Sequence, residues 1–219
     1  MSVQLSESTE MYLKAMAELG AGDVVAVGQL AGRLGVTNVS ANEMVHRLTD
    51  QGLVSHTPYK GVALTQSGQN AACNVLRRQR LWECFLYQYL HIEWAKLYEL
   101  ACALEHATAP EVTEALAKFL GDPKFCPRGN PIPTAEGLIT PLNGILLRDA
   151  PIGSTVRVLA VSATETVLLR YLQEREILPG RELSVVEAAP MQGPLTLRVQ
   201  GREVALGLLL AEFVIVEVI

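Results

Sequence analysis

Apolar residues in the N-terminal part of the chain recur with helical spacing and are interrupted by short turn-forming breaks. Residues 5–19 are predicted to form one helix, with Ser and Thr near its start as candidate caps. After the break "GAGD", the stretch "VGQLAGRL" predicts a short helix that Gly35 stops. Thr37 and Asn38 can then cap a second helix that runs through about Gln51. Two helices joined by a short Gly-containing turn are typical of a helix-turn-helix.

The second of these helices is amphipathic, and a predicted hairpin follows it. Its buried face is predicted to comprise Val39, Met44, Val45 and Leu48. After Gly52, two β-like runs flank "PYKG", which predicts a turn with Lys60 at or near its tip. A helix-turn-helix followed by a hairpin is a winged helix.

Three further helices are predicted in the middle of the chain. The first runs from Ser67 to about Glu93, and "IEWAKLYELACALEHA" and "APEVTEALAKFL" follow, the last with Pro110 in its first turn. Together they carry more Leu, Trp, Phe and Tyr surface than a winged helix needs for itself. This surplus favours a helical dimer interface.

The pattern changes again after the third helix. Residues 121–142 contain five prolines and predict a linker without regular structure. Short alternating runs such as "STVRVLAV" and "EFVIVEVI" then predict a small β-barrel with a helical insert at "ETVLLRYLQEREI". The fold class is mainly α with β, with four predicted segments: a winged-helix domain 1–66, a helical dimerisation domain 67–121, a proline-rich linker 122–142 and a small β-barrel domain 143–219.

Composition and charge narrow the class of protein. The chain has 49% hydrophobic and 19% charged residues, which is enough to bury a core. No apolar run approaches the roughly 18–20 residues that a bilayer span needs. The start "MSVQLSESTEMYL" lacks a basic segment followed by an apolar one, so we expect a cytoplasmic protein with no membrane partner. The four cysteines form no CxxC pair, which predicts thiols or metal ligands in a reducing compartment.

One helical stripe carries candidate metal ligands. Cys102, Glu105 and His106 are spaced i, i+3, i+4, so on an α-helix they lie within about 100° of one another. A thiol, a carboxylate and an imidazole suit a late first-row ion such as Fe(II), Co(II), Ni(II) or Zn(II) better than Mg²⁺ or Ca²⁺. The same spacing also fits ordinary buried helix residues, and both interpretations stay open at this point.

The order of these motifs resembles a known family. "TEMYL", the winged helix, "LACALEH" and "CPRGNPIP" together resemble the diphtheria toxin repressor family of metal-dependent transcriptional regulators, over essentially the whole chain. "LPGRELSVVE" and "ALGLLLAEFVIVEV" are similar to the SH3-like (FeoA-like) C-terminal domain of its iron-responsive branch.

The resemblance implies two metal positions, which match this chain unequally. For the primary position all four ligands match, as Met11, Cys102, Glu105 and His106, and the sulfur ligands resemble the iron type rather than the manganese-selective branch. At the ancillary position Gln79, Glu83 and Tyr98 stand where the family has His, Glu and His. The family also uses a Glu and a Gln from the SH3-like domain at this position. Here Glu165 is the candidate for that Glu, and Leu168 falls where the Gln is expected. Because two imidazoles are missing, we expect weak transition-metal binding there. Glu83 could equally be a surface or salt-bridging residue, with Arg80 as a candidate partner.

A winged helix reads DNA with the start of its second helix. The candidate DNA-binding residues are Thr37, Asn38, Ser40, Asn42, Glu43, Arg47 and, on the wing, Lys60. For Thr37 and Asn38, helix capping alone is an equally good interpretation. Residues 1–64 carry four basic and six acidic side chains, which predicts modest affinity per subunit and a shallow salt dependence. The densest basic cluster, "RRQR" at 77–80, is interpreted as a solvated helix face rather than a DNA contact.

Together these features predict a homodimeric repressor that binds double-stranded operator DNA and is activated by a divalent metal. Fe(II) is the preferred ion, with Mn(II), Co(II), Ni(II) or Zn(II) as alternatives, and metal-homeostasis genes are the expected targets. One rival is a winged-helix regulator that does not depend on metal. The other, a metalloenzyme, lacks a convincing general base.

Overall fold

The computed structural model describes residues 5–20, 24–57 and 60–219. Its α-helices, in chain order, are α1 Glu7–Gly20, α2 Val27–Leu34, α3 Asn38–Asp50, α4 Gln66–Gln88, α5 Leu97–Glu105, α6 Pro110–Phe119, α7 Thr166–Glu174 and α8 Leu208–Ala211. Its strands are β1 Val54–Thr57, β2 Gly61–Leu64, β3 Ile145–Leu146, β4 Thr155–Val161, β5 Glu182–Ala188, β6 Leu195–Val199, β7 Arg202–Leu206 and β8 Val214–Val218. Short 3₁₀ turns lie at Trp94–Lys96 and Leu147–Asp149.

The chain divides into two compact units. The first comprises Met1–Arg78, His106–Thr108 and Pro133–Leu138. The second comprises Gln79–Glu105, Ala109–Ile132 and Ile139–Ile219.

Local sequence signals set the helix-turn-helix of the first unit. Gly35 ends α2 in the left-handed conformation at φ +66°, and its N–H donates back to Ala31 and Gly32. The hydroxyl of Thr37 then accepts a hydrogen bond from the Ser40 N–H at 3.2 Å and caps α3. Both features agree with the prediction from sequence.

The buried face of α3 differs from the predicted one at a single position. Met44, Val45 and Leu48 are buried as expected, but the Val39 residue is 69% exposed. Ala41, which is fully buried, takes its place against the core. Val39 follows the first helical residue directly, and it lies on the same outward side as the polar start of the helix.

The predicted hairpin is present as an antiparallel pair. Strands β1 and β2 pair from Val54 opposite Leu64 to Thr57 opposite Gly61, and the exposed Lys60 precedes β2. Pro58 and Tyr59 of "PYKG" lie outside the described residues. The core beneath the hairpin and helices is aliphatic, with Leu13, Met16, Leu30, Val45 and Leu48 almost wholly excluded from solvent.

The central helices are shorter than the sequence predicted. Helix α4 ends at Gln88 rather than near Glu93, because His91 adopts a left-handed φ of +53° and the Ile92 N–H returns to the Leu86 carbonyl. Helix α5 starts after a 3₁₀ turn and ends at Glu105. His106 therefore lies in a turn directly after the helix rather than within its last turn.

The basic cluster "RRQR" is not a solvated face, so that interpretation was wrong. Arg77 and Arg80 are 9% and 8% exposed. Their guanidinium groups donate to carbonyls of the proline-rich segment, Arg77 to Pro133 and Arg80 to Pro131. Such carbonyls need donors when they are buried, and arginine supplies several.

The C-terminal part of the second unit is a six-stranded antiparallel sheet. The strand order is β3-β8-β4-β5-β6-β7. Its core consists of alternating inward residues such as Val156, Val158 and Val216, and α7 covers them with Leu169 and Leu172. Trp94, Leu97 and Ala101 belong to the same core, which is therefore shared by α5 and the sheet.

The proline-rich segment has little regular structure, as predicted, but part of it is buried. Its regular pairing is a single bridge between Phe125 and Pro131. Cys126 and Ile132 pack into a small cluster with Leu81 of α4. The part of the segment up to Ile132 thus belongs to the second unit, whereas Pro133–Leu138 belong to the first.

Candidate metal centre and DNA-binding face

A carboxylate on the first helix holds one of the predicted metal ligands. Oε2 of Glu10 lies 2.7 Å from Nδ1 of His106, and Oε1 of Glu10 accepts a hydrogen bond from Arg78 Nη2 at 2.6 Å. The three side chains are 13–14% exposed and all belong to the first unit. Arg78 and His106 are separated in sequence, and Glu10 joins them.

This contact determines which histidine nitrogen could bind a metal. A carboxylate beside Nδ1 accepts its proton, so the neutral imidazole of His106 would present the lone pair of Nε2. Metal-binding histidines in proteins commonly have such a carboxylate behind them. The surroundings of His106 therefore suit a metal ligand.

The other three predicted primary ligands differ in burial. Glu105 is fully buried at the end of α5, Cys102 is half-buried one turn earlier, and Met11 is half-buried directly after Glu10. Met11 and His106 belong to the first unit, whereas Cys102 and Glu105 belong to the second. Within the described ranges, no three His, Cys, Asp or Glu side chains are gathered closely enough to hold a metal ion.

The predicted ancillary ligands have a different environment in the second unit. Gln79 and Glu83 of α4 are fully buried, and the Gln79 amide donates to Glu83 Oε1 at 3.2 Å. The same carboxylate forms a buried ion pair with Arg128, at 2.9 Å between Oε1 and Nη2. Glu83 is therefore not a surface residue, and Arg128 is the arginine with which it pairs.

Two more predicted ancillary positions lie near the start of α7. Glu165 is exposed, and its Oε2 accepts a hydrogen bond from the Thr164 N–H at 3.3 Å. Leu168 packs against the apolar core of the sheet.

The guanidinium carbon of Arg128 lies 4.8 Å from the centre of the Tyr98 ring. This donor set of an amide, a phenol and one ion-paired carboxylate does not fit a transition metal.

Two buried thiols, Cys84 and Cys126, lie near the ion pair between Glu83 and Arg128. Burial, with a smaller contribution from the nearby Glu83 charge, raises the pKa of Cys84 to about 12. Burial likewise raises the pKa of Cys126, again with a smaller contribution from the Glu83 charge. Both groups are thiols at neutral pH and, unlike a thiolate, are poor metal ligands.

The candidate DNA-binding residues lie in the first unit, on or next to α3 and on the wing. All seven are exposed, and most lie on the first turns of α3: Thr37, Asn38, Ser40, Asn42, Glu43, Arg47 and Lys60. The Asn42 amide donates to the Asn38 carbonyl at 2.9 Å, so the two asparagines are linked along the helix. Sequence reasoning missed the exposed Val39 between them, whose methyl groups could contact a thymine methyl.

The recognition helix α3 also contacts the wing. The ring of His46 on α3 meets the ring of His56 on β1 edge to face, with 5.7 Å between centroids. This contact adds to the packing between the hairpin and the recognition helix. Arg33, which is not one of the seven candidates, is paired with Glu18 at 2.7 Å. The basic residues among the seven are Arg47 and Lys60, and both are exposed.

Comparison with known proteins adds independent information. Three family models match successive parts of the chain: the N-terminal DNA-binding domain of iron-dependent repressors at 4–62, their metal-binding and dimerisation domain at 65–134, and the FeoA domain at 145–218. The iron-dependent repressor IdeR of Mycobacterium tuberculosis is 30% identical over 91% of this chain and 92% of its own length. The diphtheria toxin repressor of Corynebacterium efficiens is 32% identical over 78% of this chain and 76% of its own length.

The chain belongs to the diphtheria toxin repressor family. A solved structure described as a manganese-dependent transcriptional repressor in complex with manganese is also similar. It is 31% identical, has a TM-score of 0.88, and is matched over 96% of this chain and 100% of that one.

Membership confirms the resemblance and the fold class predicted from sequence. The family consists of metal-dependent DNA-binding repressors rather than enzymes, so the metalloenzyme alternative is excluded. DNA binding and dimerisation are properties of the family. In the part of the chain that the structure describes, no helix is both long and apolar enough to span a membrane.

Sequence reasoning missed three residues around the two sites: Glu10, Arg78 and Arg128. Glu10 directly precedes the predicted ligand Met11, which was an available signal. Arg128 lies within "CPRGNPIP", a motif quoted for the family resemblance without a role for its arginine.

Proposed function

We propose that this family member is an Fe(II)-activated repressor whose metal is bound by Met11, Cys102, Glu105 and His106. The observation that carries the proposal is the 2.7 Å contact between Glu10 and His106 Nδ1. It orients the imidazole as metal-binding histidines are oriented. Glu10 directly precedes Met11 in the chain, and His106 directly follows Glu105.

The donor set favours iron over manganese. A thiolate and a thioether are soft ligands, and they stabilise Fe(II) more than Mn(II), which prefers carboxylate and carbonyl oxygens. A bound divalent ion would supply positive charge for the thiolate of Cys102 and the buried carboxylate of Glu105. The related manganese-dependent repressor makes Mn(II) the alternative activator.

The chain's own residues would couple metal to DNA through their positions. Met11 and Glu10 lie on α1, in the same unit as the recognition helix α3, and His106 is held in that unit by Glu10. An arrangement that binds both metal and DNA makes each ligand favour the other by the same free energy. Metal-homeostasis genes are the proposed targets, and we expect the protein to act in the cytoplasm.

We propose that two copies meet through an aromatic face of the second unit. Phe85 stacks on Tyr89 with 5.6 Å between ring centres, and Phe119 of α6 lies 4.8 Å from Tyr89. Tyr89 and Phe119 are 48% and 58% exposed, which is unusual for such large rings. They lie within the part matched by the metal-binding and dimerisation model.

The proposal is tested by measuring operator binding as a function of metal under anaerobic conditions. An operator duplex selected from a random library would be titrated with protein in chelator, with Fe(II) and with Mn(II), using fluorescence anisotropy. We expect tight binding only with metal and at lower Fe(II) than Mn(II) concentrations. Cys102→Ala should abolish the response, whereas Cys73→Ala, a buried cysteine of α4 outside the proposed site, should retain it.

Two results would change the conclusion. Equal operator affinity in chelator and in metal would make the protein a metal-independent winged-helix regulator. A response at lower Mn(II) than Fe(II) would make it a manganese-responsive member of the family.

A further inference from the structure

The buried carboxylate of Glu83 has a cationic partner supplied by the chain itself. Glu83 and Arg128 are 0% and 2% exposed, so neither charge is solvated by bulk water. Nη2 of Arg128 lies 2.9 Å from Glu83 Oε1, and Nε lies 3.2 and 3.3 Å from the two carboxylate oxygens. A buried charge is tolerated when it is paired and hydrogen-bonded in this way.

The remaining nitrogen of the Arg128 guanidinium, Nη1, is directed at the β-sheet. Nη1 of Arg128 donates to the Ala163 carbonyl at 2.8 Å and to the Val161 carbonyl at 3.4 Å. Both carbonyls lie at or just beyond the end of β4. A single side chain thus connects α4 to the C-terminal sheet, within one compact unit.

The backbone around Arg128 is fixed as firmly as its side chain. The Arg128 carbonyl accepts from the Val161 N–H at 2.8 Å, and the Asn130 amide donates to the Val161 carbonyl at 2.9 Å. Gly129 has φ +79°, and a Cβ there would lie 1.9 Å from the Leu159 carbonyl oxygen. Only glycine permits this close approach, which holds the arginine against β4.

The residues around this cation are those that match the family's ancillary metal position. Gln79 donates to Glu83 at 3.2 Å, and the Tyr98 ring faces the guanidinium at 4.8 Å. A divalent ion among them would lack imidazole ligands and would meet a fixed positive charge.

We infer that Arg128 is a built-in cation that takes the place of the ancillary metal and joins α4 to the sheet in the absence of metal. The chain then binds one transition-metal ion per subunit, at the primary position. The count of one metal ion per subunit rests on the proposed function. The inference that Arg128 joins α4 to the sheet without metal does not.

The first test counts bound Co(II) by anaerobic equilibrium dialysis. We expect one equivalent in the wild type and in Glu83→Gln, and none in Cys102→Ala/His106→Ala. Gln79→His/Tyr98→His/Arg128→Ala, which restores the imidazoles and removes the guanidinium, should bind a second equivalent. A second equivalent in the wild type that Glu83→Gln abolishes would overturn the inference, as would failure of the triple variant to gain one. A wild type that binds none would refute the proposed function alone.

The second test measures amide hydrogen exchange at Val161, whose N–H donates to Arg128, with the protein in chelator. We expect the wild type to stay protected, and Arg128→Met to exchange about tenfold faster at Val161. Arg157→Met is the matched control, because Arg157 lies on the same strand but forms exposed ion pairs with Glu182 and Glu217. If Arg128→Met does not fold, Arg128→Lys, which keeps the charge but loses the fork of donors, should give intermediate protection. Loss of protection in chelated wild type, or protection unchanged in the Arg128 variant that folds, would overturn the inference.

Discussion

Glu10 and His106 are 96 positions apart in the chain, yet Glu10 Oε2 and His106 Nδ1 lie 2.7 Å apart. The contact joins helix α1, which precedes the helix-turn-helix, to the turn that ends α5. Because Arg78 donates to the other oxygen of Glu10, the carboxylate is held at both ends and cannot rotate away from the imidazole without breaking that bond. Glu10 therefore holds the ring of His106 in place, and in the proposed metal site it would position His106 rather than bind the ion.

Replacing Glu10 tests this positioning role. Glu10→Gln removes the charge that stabilises the Nδ1 proton, and we expect Co(II) affinity to fall by about 10- to 100-fold while the stoichiometry stays unchanged. Anaerobic equilibrium dialysis measures both quantities. Glu7→Gln, an exposed carboxylate one turn earlier on α1, is the matched control and should leave the affinity unchanged. Equal affinity in the Glu10 variant and the wild type would exclude the role.

Asn42 provides a test of base recognition by α3. An asparagine amide can pair with both major-groove atoms of adenine, and such a pair contributes about 1–3 kcal/mol of discrimination. We expect Asn42→Ala to weaken operator binding by roughly 5- to 150-fold and to relax the preference at one base pair. Gln51→Ala, at the opposite end of the recognition helix, should bind as the wild type does. A loss of affinity that is the same for every sequence would indicate a backbone contact instead.

Lys60 tests the predicted salt dependence. Its ammonium group precedes β2 on the wing and is exposed, so it is placed to neutralise a phosphate. We expect Lys60→Gln to reduce the slope of log affinity against log salt by about one. Lys118→Gln, an exposed lysine on α6, controls for the change in net charge. An unchanged slope for the Lys60 variant would remove the wing lysine from the interface.

The features that could be predicted from sequence are those with local causes. Gly35 ends α2 because its φ is positive, and Thr37 caps α3 because its hydroxyl reaches the Ser40 N–H three residues later. The strands of the sheet were visible because inward and outward residues alternate. The two smallest elements, β3 and α8, were missed because two and four residues carry no readable period.

The features that could not be predicted depend on the choice of tertiary partner. Arg77 and Arg80 were assigned to solvent from their charge alone, but the carbonyls that accept their hydrogen bonds lie 56 and 51 positions later. The pairing of Glu83 with Arg128 spans 45 positions. The missing imidazoles at Gln79 and Tyr98 left Glu83 open as a surface residue or as a partner of Arg80, and its partner is neither solvent nor Arg80. Only the fold identifies that partner as Arg128.

The buried thiols predict how stability depends on pH. In the unfolded chain a cysteine ionises near its ordinary pKa of 9, whereas in the folded protein burial raises the pKa of Cys84 to about 12. Between these values the unfolded state has lost a proton that the native state retains. The free energy of unfolding should therefore fall as pH rises from 9 towards 12, with a contribution of about 1.4 kcal/mol per pH unit from this thiol, and be unaffected by it below pH 8. Cys126, whose pKa is raised by burial too, contributes in the same direction.

Urea unfolding at pH 8, 9 and 10 measures this dependence. Cys84→Ala should make the decline above pH 9 shallower than in the wild type, because the ionising group is absent from both states. Leu81→Ala, in the same buried cluster, should lower the free energy of unfolding by about 2–5 kcal/mol at every pH without changing the decline. Tyrosines and lysines also titrate in this range, so the comparison between variants isolates the thiol. An identical decline in Cys84→Ala and the wild type would mean that this thiol ionises equally well in the folded and unfolded chains.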